Sequence, residues 1–254
     1  MDGNRRFATH NGMKKVDGHR SGFDKLSQVL TWCKDIGIIE LSVYAFSIAN
    51  FNRSKEEVAY LFELAEEKFQ EILDSFHKIE ENNLCIRVIG RLDLLPERLQ
   101  KLSAELMLRT QSFTGSFLNI YMAYTSGDEI ATCLEEIRLG LKSNWLTEED
   151  VNEALINETL TCLNTHPVDL LIRTSGEVRL SDFLSWHVSK HASVYSFTSV
   201  NWPEFSLWHM LAAVLHFQMN NISNYAPTEI SKRAADFLAN LNEKRFKQLS
   251  KIVG

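Results

Sequence analysis

The sequence is short of cysteine, proline and glycine, with 4, 4 and 11 of them among 254 residues. Cys33, Cys85, Cys133 and Cys162 are far apart and form no C-x-x-C pair. That spacing excludes a zinc knuckle and a disulfide-stapled scaffold, and reduced thiols in a cytosol-facing protein are expected. The few glycines and prolines, with 44% apolar and 10% aromatic residues, exclude collagen-like and disordered chains. No apolar run reaches the ~20 residues that span a bilayer; the longest lies around Met210 to Phe217, and no signal or transit peptide is visible. The N-x-S/T sites at Asn52, Asn157 and Asn221 are therefore read as chance matches. Nor is positive charge in excess: 27 Lys and Arg against 33 Asp and Glu give −6, which argues against a nucleic-acid coat or a polybasic anchor. Also missing are G-x-x-x-x-G-K-S/T and G-x-G-x-x-G, so neither common nucleotide fold is supported.

The charge that is present lies unevenly. Residues 1–20 carry Arg5, Arg6, Lys14, Lys15 and Arg20 against Asp2 and Asp17, a net of +3, and the remaining 234 residues carry −9. A basic cluster on an acidic protein points to a small anionic ligand; the alternative is a solvated terminal segment. Phe23, Leu26, Val29, Leu30 and Cys33 predict a helix over Ser21 to Lys34, ended by Gly37. Ile38 to Phe46 is β-rich, and Ser54 with Glu57 three positions on predicts an N-cap opening a long acidic helix to about Glu81. Further strands are expected at Leu84 to Ile89, Phe117 to Ala123, Leu170 to Arg173 and Val194 to Phe197. Helices are expected at Pro96 to Thr110, Glu129 to Lys142, Thr147 to Asn157 and Leu207 to Met219, with a last one over about 227–250. Alternating strands and helices predict a single α/β domain over 1–254, with a largely parallel central sheet flanked by helices.

In such sheets ligands bind at the carboxyl ends of the strands. Two polar segments sit there: Asn50-Phe51-Asn52-Arg53, and Arg173 to Ser181, which places two guanidiniums, three hydroxyls and a glycine within nine residues. Arginine forks, serine hydroxyls and backbone N–H groups hold phosphate oxygens. A capping and salt-bridge loop is the alternative for Arg173 to Ser181 taken alone; with the basic N-terminal residues it reads equally as a phosphate or diphosphate site.

Several segments in register resemble the cis-prenyltransferases. They are Met1-Asp2-Gly3-Asn4-Arg5-Arg6-Phe7-Ala8, Gly18-His19-Arg20-Ser21-Gly22, Tyr44-Ala45-Phe46-Ser47, Asn50-Phe51-x-Arg53, Arg173 to Phe183 and Trp202-Pro203-Glu204-Phe205. Within the family the chain is most similar to the eukaryotic dehydrodolichyl diphosphate synthase catalytic subunit. The resemblance implies condensation of isopentenyl diphosphate onto an allylic diphosphate such as farnesyl diphosphate with Z stereochemistry. The long-chain polyprenyl product would serve dolichol synthesis and protein glycosylation. It implies Mg²⁺ on Asp2, with Asp2, Asn50 and Arg53 as catalytic positions. Gly3, Asn4, Arg5, Arg6, Lys15 and His19 would hold the allylic diphosphate, and Arg173, Arg179 and Ser181 the isopentenyl diphosphate. Asp2, Asn50 and the diphosphate itself remain open as proton acceptor. Ala45, Phe62 and Phe69 are candidates to line a product tunnel, or ordinary core; the two phenylalanines are seven apart and share a helix face.

The chain departs from the family pattern in five places. The family places a strand immediately before the Met1 signature, so a sheet without that first strand is one expectation. Ala49 stands where a Glu is usual, His187 where a Gln is usual, and Ala192 where bacterial relatives carry a metal-binding Glu. The Glu243 to Gly254 tail holds Arg245-Phe246-Lys247 and no Arg-x-Gly, the motif that homodimeric members contribute to a partner's site. The resemblance then implies a heteromer with a non-catalytic subunit like the Nogo-B receptor, peripheral on the cytosolic face of the endoplasmic reticulum, with no nucleic acid bound. The alternatives are a non-catalytic or truncated regulatory subunit, and a phosphate-ester hydrolase, against which stand the single metal carboxylate and the absence of an activated nucleophile.

Overall fold

A computed structural model describes residues 1–160, 166–190, 193–221 and 229–254. Cys162, Ala192 and the first positions expected for the last helix, 227 and 228, lie outside the described residues. The chain opens with a helix the sequence pattern did not predict, α1 (Asn4–His10), and α2 (Lys15–Asp35) starts six residues earlier than expected. Strand β1 (Glu40–Ser47) leads through a 3-10 turn at Ile48–Asn52 into α3 (Lys55–Asp74). The predicted cap forms: the Ser54 hydroxyl accepts the Glu57 N–H. The long acidic helix does not run to Glu81, however. The Ser75 hydroxyl and N–H both bond back to Glu71 O, closing α3, and a separate α4 (Phe76–Glu81) follows.

Strand β2 (Leu84–Ile89), α5 (Glu97–Thr110), β3 (Ser116–Tyr124), α6 (Ser126–Lys142) and α7 (Glu153–Leu160) come next. Strand β4 (Leu170–Arg173), α8 (Ser185–Lys190), β5 (Val194–Phe197), α9 (Leu207–Asn220) and α10 (Lys232–Val253) complete the order. Every strand pair is parallel, as the alternation predicts. Among the described residues the strands of this parallel α/β fold are hydrogen-bonded in two groups, β1-β3-β2 and β4-β5. Side chains join them: Phe183 stacks on Tyr44 of β1 at 4.4 Å and meets Tyr121 of β3 edge-on, with Leu171 of β4 in the same cluster.

The two-residue period of β3 explains the layering. Leu118, Ile120 and Met122 face the main core with Leu26 and Val29 of α2, Phe62 and Phe69 of α3, and Leu99 and Leu106 of α5. Each such side chain, fully buried, contributes about 1.5–3 kcal/mol. Asn119 and Tyr121 point to the other face. Helix α10 spans two cores, with Ala234, Phe237 and Leu241 against α6 and α7, and Leu249 in the main core. Among the described residues, no helix is long and apolar enough to cross a membrane.

Candidate diphosphate site at the carboxyl ends of the strands

The site is built where β4 ends. After Arg173 the backbone turns through left-handed Ser175 (φ 74°) and Gly176 (φ 70°), and their N–H groups bond to Val200 O and Thr198 O, each at 2.8 Å. The N-terminal residues dock on this turn. Asp2 N donates to Thr174 Oγ1 (3.0 Å), while Asp2 O takes Trp202 N–H (2.9 Å) and lies 2.9 and 3.0 Å from the Thr174 and Ser175 hydroxyls. Gly3 follows at φ 98°, where a Cβ would fall 1.9 Å from Ser175 Oγ, so only glycine fits. Gly18 and Gly22 are equally tied to geometry. A Cβ at either would lie 2.3 Å from Asn4 O or 2.5 Å from Asn4 Oδ1, and their absence lets α1 lie flush on α2. Trp202 fastens the packing from the far side through Nε1–H to Gly22 O (2.8 Å).

Two clusters of charge result. In the first, Asp2 Oδ2 accepts from Arg173 Nη2 (3.0 Å), and Arg173 Nη1 donates to Ser181 Oγ (2.9 Å) and to Arg179 O. Arg6 donates to Ser175 O and to Glu177 Oε1, both at 2.9 Å, and stands 3.8 Å from Asp2 Oδ1. Arg179 pairs with the other oxygen of Glu177. Burial pushes the Asp2 carboxyl up, but the Arg173 hydrogen bond and charge and the Gly3 N–H prevail and hold it below the usual carboxylate range. In the second cluster Glu57 gathers Arg53 (3.0 Å), Arg5 (3.7 Å) and His19 (3.9 Å). Burial first, then the Arg53 charge, push His19 down to about 4, so its imidazole is neutral at pH 7, and Nε2 is buried without a hydrogen-bond partner among the described residues. Burial and the Arg5 charge also pull Arg53 below its ordinary value.

The expected site residues therefore meet in two adjoining groups: Asp2, Gly3, Arg6, Arg173, Arg179 and Ser181, and Arg5, His19 and Arg53. Asn50 bonds to Ser47 N–H and shapes the turn after β1, and the Asn4 side chain is buried under Gly22. Lys15 is exposed one turn before His19 on α2. Arg20, part of the same basic stretch, faces away and pairs with Glu67. Glu57 and Glu177 were not singled out from the sequence: Glu57 read as a helix-cap partner, and Glu177 lay unremarked between two arginines. Phe62 and Phe69 share one face and lie in the main core. The Phe46, Phe51 and Phe62 rings pack at 5.0 to 5.9 Å, and Ala45 falls at an irregularity in the β1–β3 register.

Among the described residues no three Asp, Glu, His or Cys side chains cluster as a metal cage. As an ionised carboxylate Asp2 has the chemistry to hold a hard divalent ion, and substrate oxygens and water would have to supply the other ligands. The arrangement as a whole places five guanidiniums around three carboxylates and is short of anions.

A family model described as "Putative undecaprenyl diphosphate synthase" matches residues 1–223. The chain is 46% identical over 222 residues to the human dehydrodolichyl diphosphate synthase complex subunit DHDDS, covering 87% of this chain and 66% of that one. It is 39% identical over 218 residues to a tritrans,polycis-undecaprenyl-diphosphate synthase (geranylgeranyl-diphosphate specific) of Methanopyrus kandleri, covering 86% and 79%. Among solved structures it is similar to lavandulyl diphosphate synthase from Lavandula x intermedia, crystallised with dimethylallyl diphosphate. The TM-score there is 0.79 at 27% identity, over 86% of this chain and 92% of that one.

Proposed function

We propose, from the premise that the chain belongs to the cis-prenyltransferase family, that it condenses isopentenyl diphosphate onto farnesyl diphosphate with Z stereochemistry. The long-chain polyprenyl diphosphate formed would serve dolichol synthesis and protein glycosylation. The observation that carries the reading is the pair of adjoining cation clusters, one around Asp2 and Arg173 and one around Arg5, His19 and Arg53. Two diphosphates have to be held side by side for their carbon ends to meet, and holding them there is a proximity effect. Arg5, Arg6 and His19 would grip the allylic diphosphate, Arg173, Arg179 and the Ser181 hydroxyl the isopentenyl diphosphate, and Arg53 would stand between. As the allylic C–O bond breaks, negative charge grows on the departing diphosphate, and these donors are in place beforehand to stabilise it. Asp2 would hold Mg²⁺, which neutralises diphosphate oxygens. The neutral His19 would gain a proton as the diphosphate charge arrives.

A partner subunit like the Nogo-B receptor is part of the proposal. Helix α9 carries exposed Trp208, Leu215 and Met219 on one side, and Tyr195 and Phe197 on β5 are half-exposed beside it. Arg245 is held by Glu136 of its own chain at 2.7 Å, which supports a partner as the source of any further active-site arginine. Such a partner would place the chain peripherally on the endoplasmic reticulum membrane. Residues 1–254 would act as one unit, because α10 closes two cores.

A second reading, a non-catalytic subunit, is favoured by Ala49 and by the packed Phe46-Phe51-Phe62 cluster where a product chain would pass. One assay decides. The purified chain, with and without the partner, is incubated with farnesyl diphosphate, labelled isopentenyl diphosphate and Mg²⁺. Butanol-extractable product that disappears in Asp2→Ala supports catalysis, and none from folded protein under either condition supports the second reading.

A further inference from the structure

Arg6 and Arg179, assigned above to different substrates, rest on one side chain. Arg6 Nη2 donates to Glu177 Oε1 at 2.9 Å, and Arg179 Nη1 to Glu177 Oε2. We propose that Glu177 is a positioning residue, a resident anion that holds the two diphosphate-binding guanidiniums together and yields them to substrate. The inference rests on the proposed condensation of two diphosphates.

The framework fixes the carboxylate more firmly than the arginines. Glu177 follows Gly176, whose N–H is bonded to Thr198 O, and its side chain is largely buried, while those of Arg6 and Arg179 are more than half exposed. The guanidiniums are therefore the parts free to move. Without an anion between them two like charges would repel, and the long side chains would spread over many rotamers. With Glu177 between them they wait at one place. A diphosphate carries several negative charges and more oxygens than a carboxylate, so it takes each guanidinium from Glu177 in turn. The carboxylate remains close to the newly bound phosphates and opposes them. It thus lowers affinity while keeping the two arginines aligned, and because one anion serves both, the two diphosphate positions are coupled.

Glu177→Gln tests this directly, since the amide fills the same space without charge and can still accept from one guanidinium. The full chain is titrated calorimetrically with inorganic pyrophosphate and MgCl₂, and assayed for kcat and KM with isopentenyl diphosphate. The expected result is about fivefold tighter pyrophosphate binding in Glu177→Gln, with kcat lowered about tenfold and KM not raised. Glu177→Asp, which restores the charge, should return pyrophosphate affinity toward the original. If Glu177→Gln does not fold, Glu177→Ala carries the same expectation for binding. Unchanged or weaker pyrophosphate binding in the neutral variant, from a protein whose unaltered form binds pyrophosphate and makes product, overturns the role of Glu177 alone. An unaltered protein that binds no pyrophosphate and makes no product overturns the proposed function, and this inference with it.

Discussion

Two polar networks in this molecule use the same residue types in opposite ways. On the face of the three-stranded sheet away from the main core, Arg87, Asn119 and Ser42 lie in register across β2, β3 and β1. Glu40 closes that row. Its two oxygens accept from Arg87 (3.3 Å), Asn119 (2.5 Å), His166 N–H (2.8 Å) and the His166 ring (2.5 Å), and Arg87 also lies 4.3 Å over the Phe117 ring. The Arg87 and Glu40 side chains are only 8% and 10% exposed. At the carboxyl ends of the strands, five guanidiniums share three carboxylates, and their exposure runs from 14% at Arg173 to 63% at Arg179. A saturated, buried carboxylate is structure. A cation surplus open to solvent is a place for an anion, and saturation separates the two where residue type does not.

The first way to break the comparison is to remove one charged side chain from each network. Asp2→Ala should lower product formation about 1,000-fold, the scale of losing a main stabiliser of developing charge, with the protein still folded by circular dichroism. Arg87→Ala should do the reverse. Leaving Glu40 buried without its cation costs about 3–5 kcal/mol in urea unfolding, while kcat/KM per folded molecule stays unchanged. Equal losses of activity in both variants would erase the distinction.

The fold was legible where a period could be read. β2, β4 and β5 have the predicted ends, because their apolar runs are bounded by polar turns. Helices α1 and α8, of seven and six residues, are too short for a 3.6-residue period, and tertiary contacts hold them: Gly18 and Gly22 under α1, and Leu184 and Val188 in the tyrosine cluster. The break at Ser75 lies in one side-chain hydrogen bond that periodicity does not register. Most site cations were read through family resemblance. Of their three carboxylate partners Asp2 was read the same way, Glu57 only as a helix-cap partner and Glu177 not at all, because Arg6–Glu177 joins positions 171 apart and leaves no local signal.

Gly3→Ala sharpens the comparison at smaller scale. A positive φ and a Cβ 1.9 Å from Ser175 Oγ should cost about 2 kcal/mol in thermal or urea unfolding and lower activity more than tenfold by displacing Asp2 from the turn. Next comes pH. His19 titrates near 6.5 unfolded and at about 4 folded, so between these values the unfolded chain binds more protons. Stability is full above pH 6.5 and falls as pH drops toward 4, by up to about 3 kcal/mol. Urea midpoints at pH 7 and pH 5 should differ in the original protein and differ less in His19→Gln. Lys15→Ala should have the smallest effect, about twofold in KM for the allylic substrate, since exposed charges are screened.

The most direct test of a double diphosphate site at the carboxyl edge is stoichiometry. Calorimetric titration with the unreactive farnesyl thiolodiphosphate, followed by isopentenyl diphosphate, should give one of each per chain. Arg173→Ala should abolish the second binding event and leave the first. A single diphosphate per chain, or two that survive Arg173→Ala unchanged, would contradict the account.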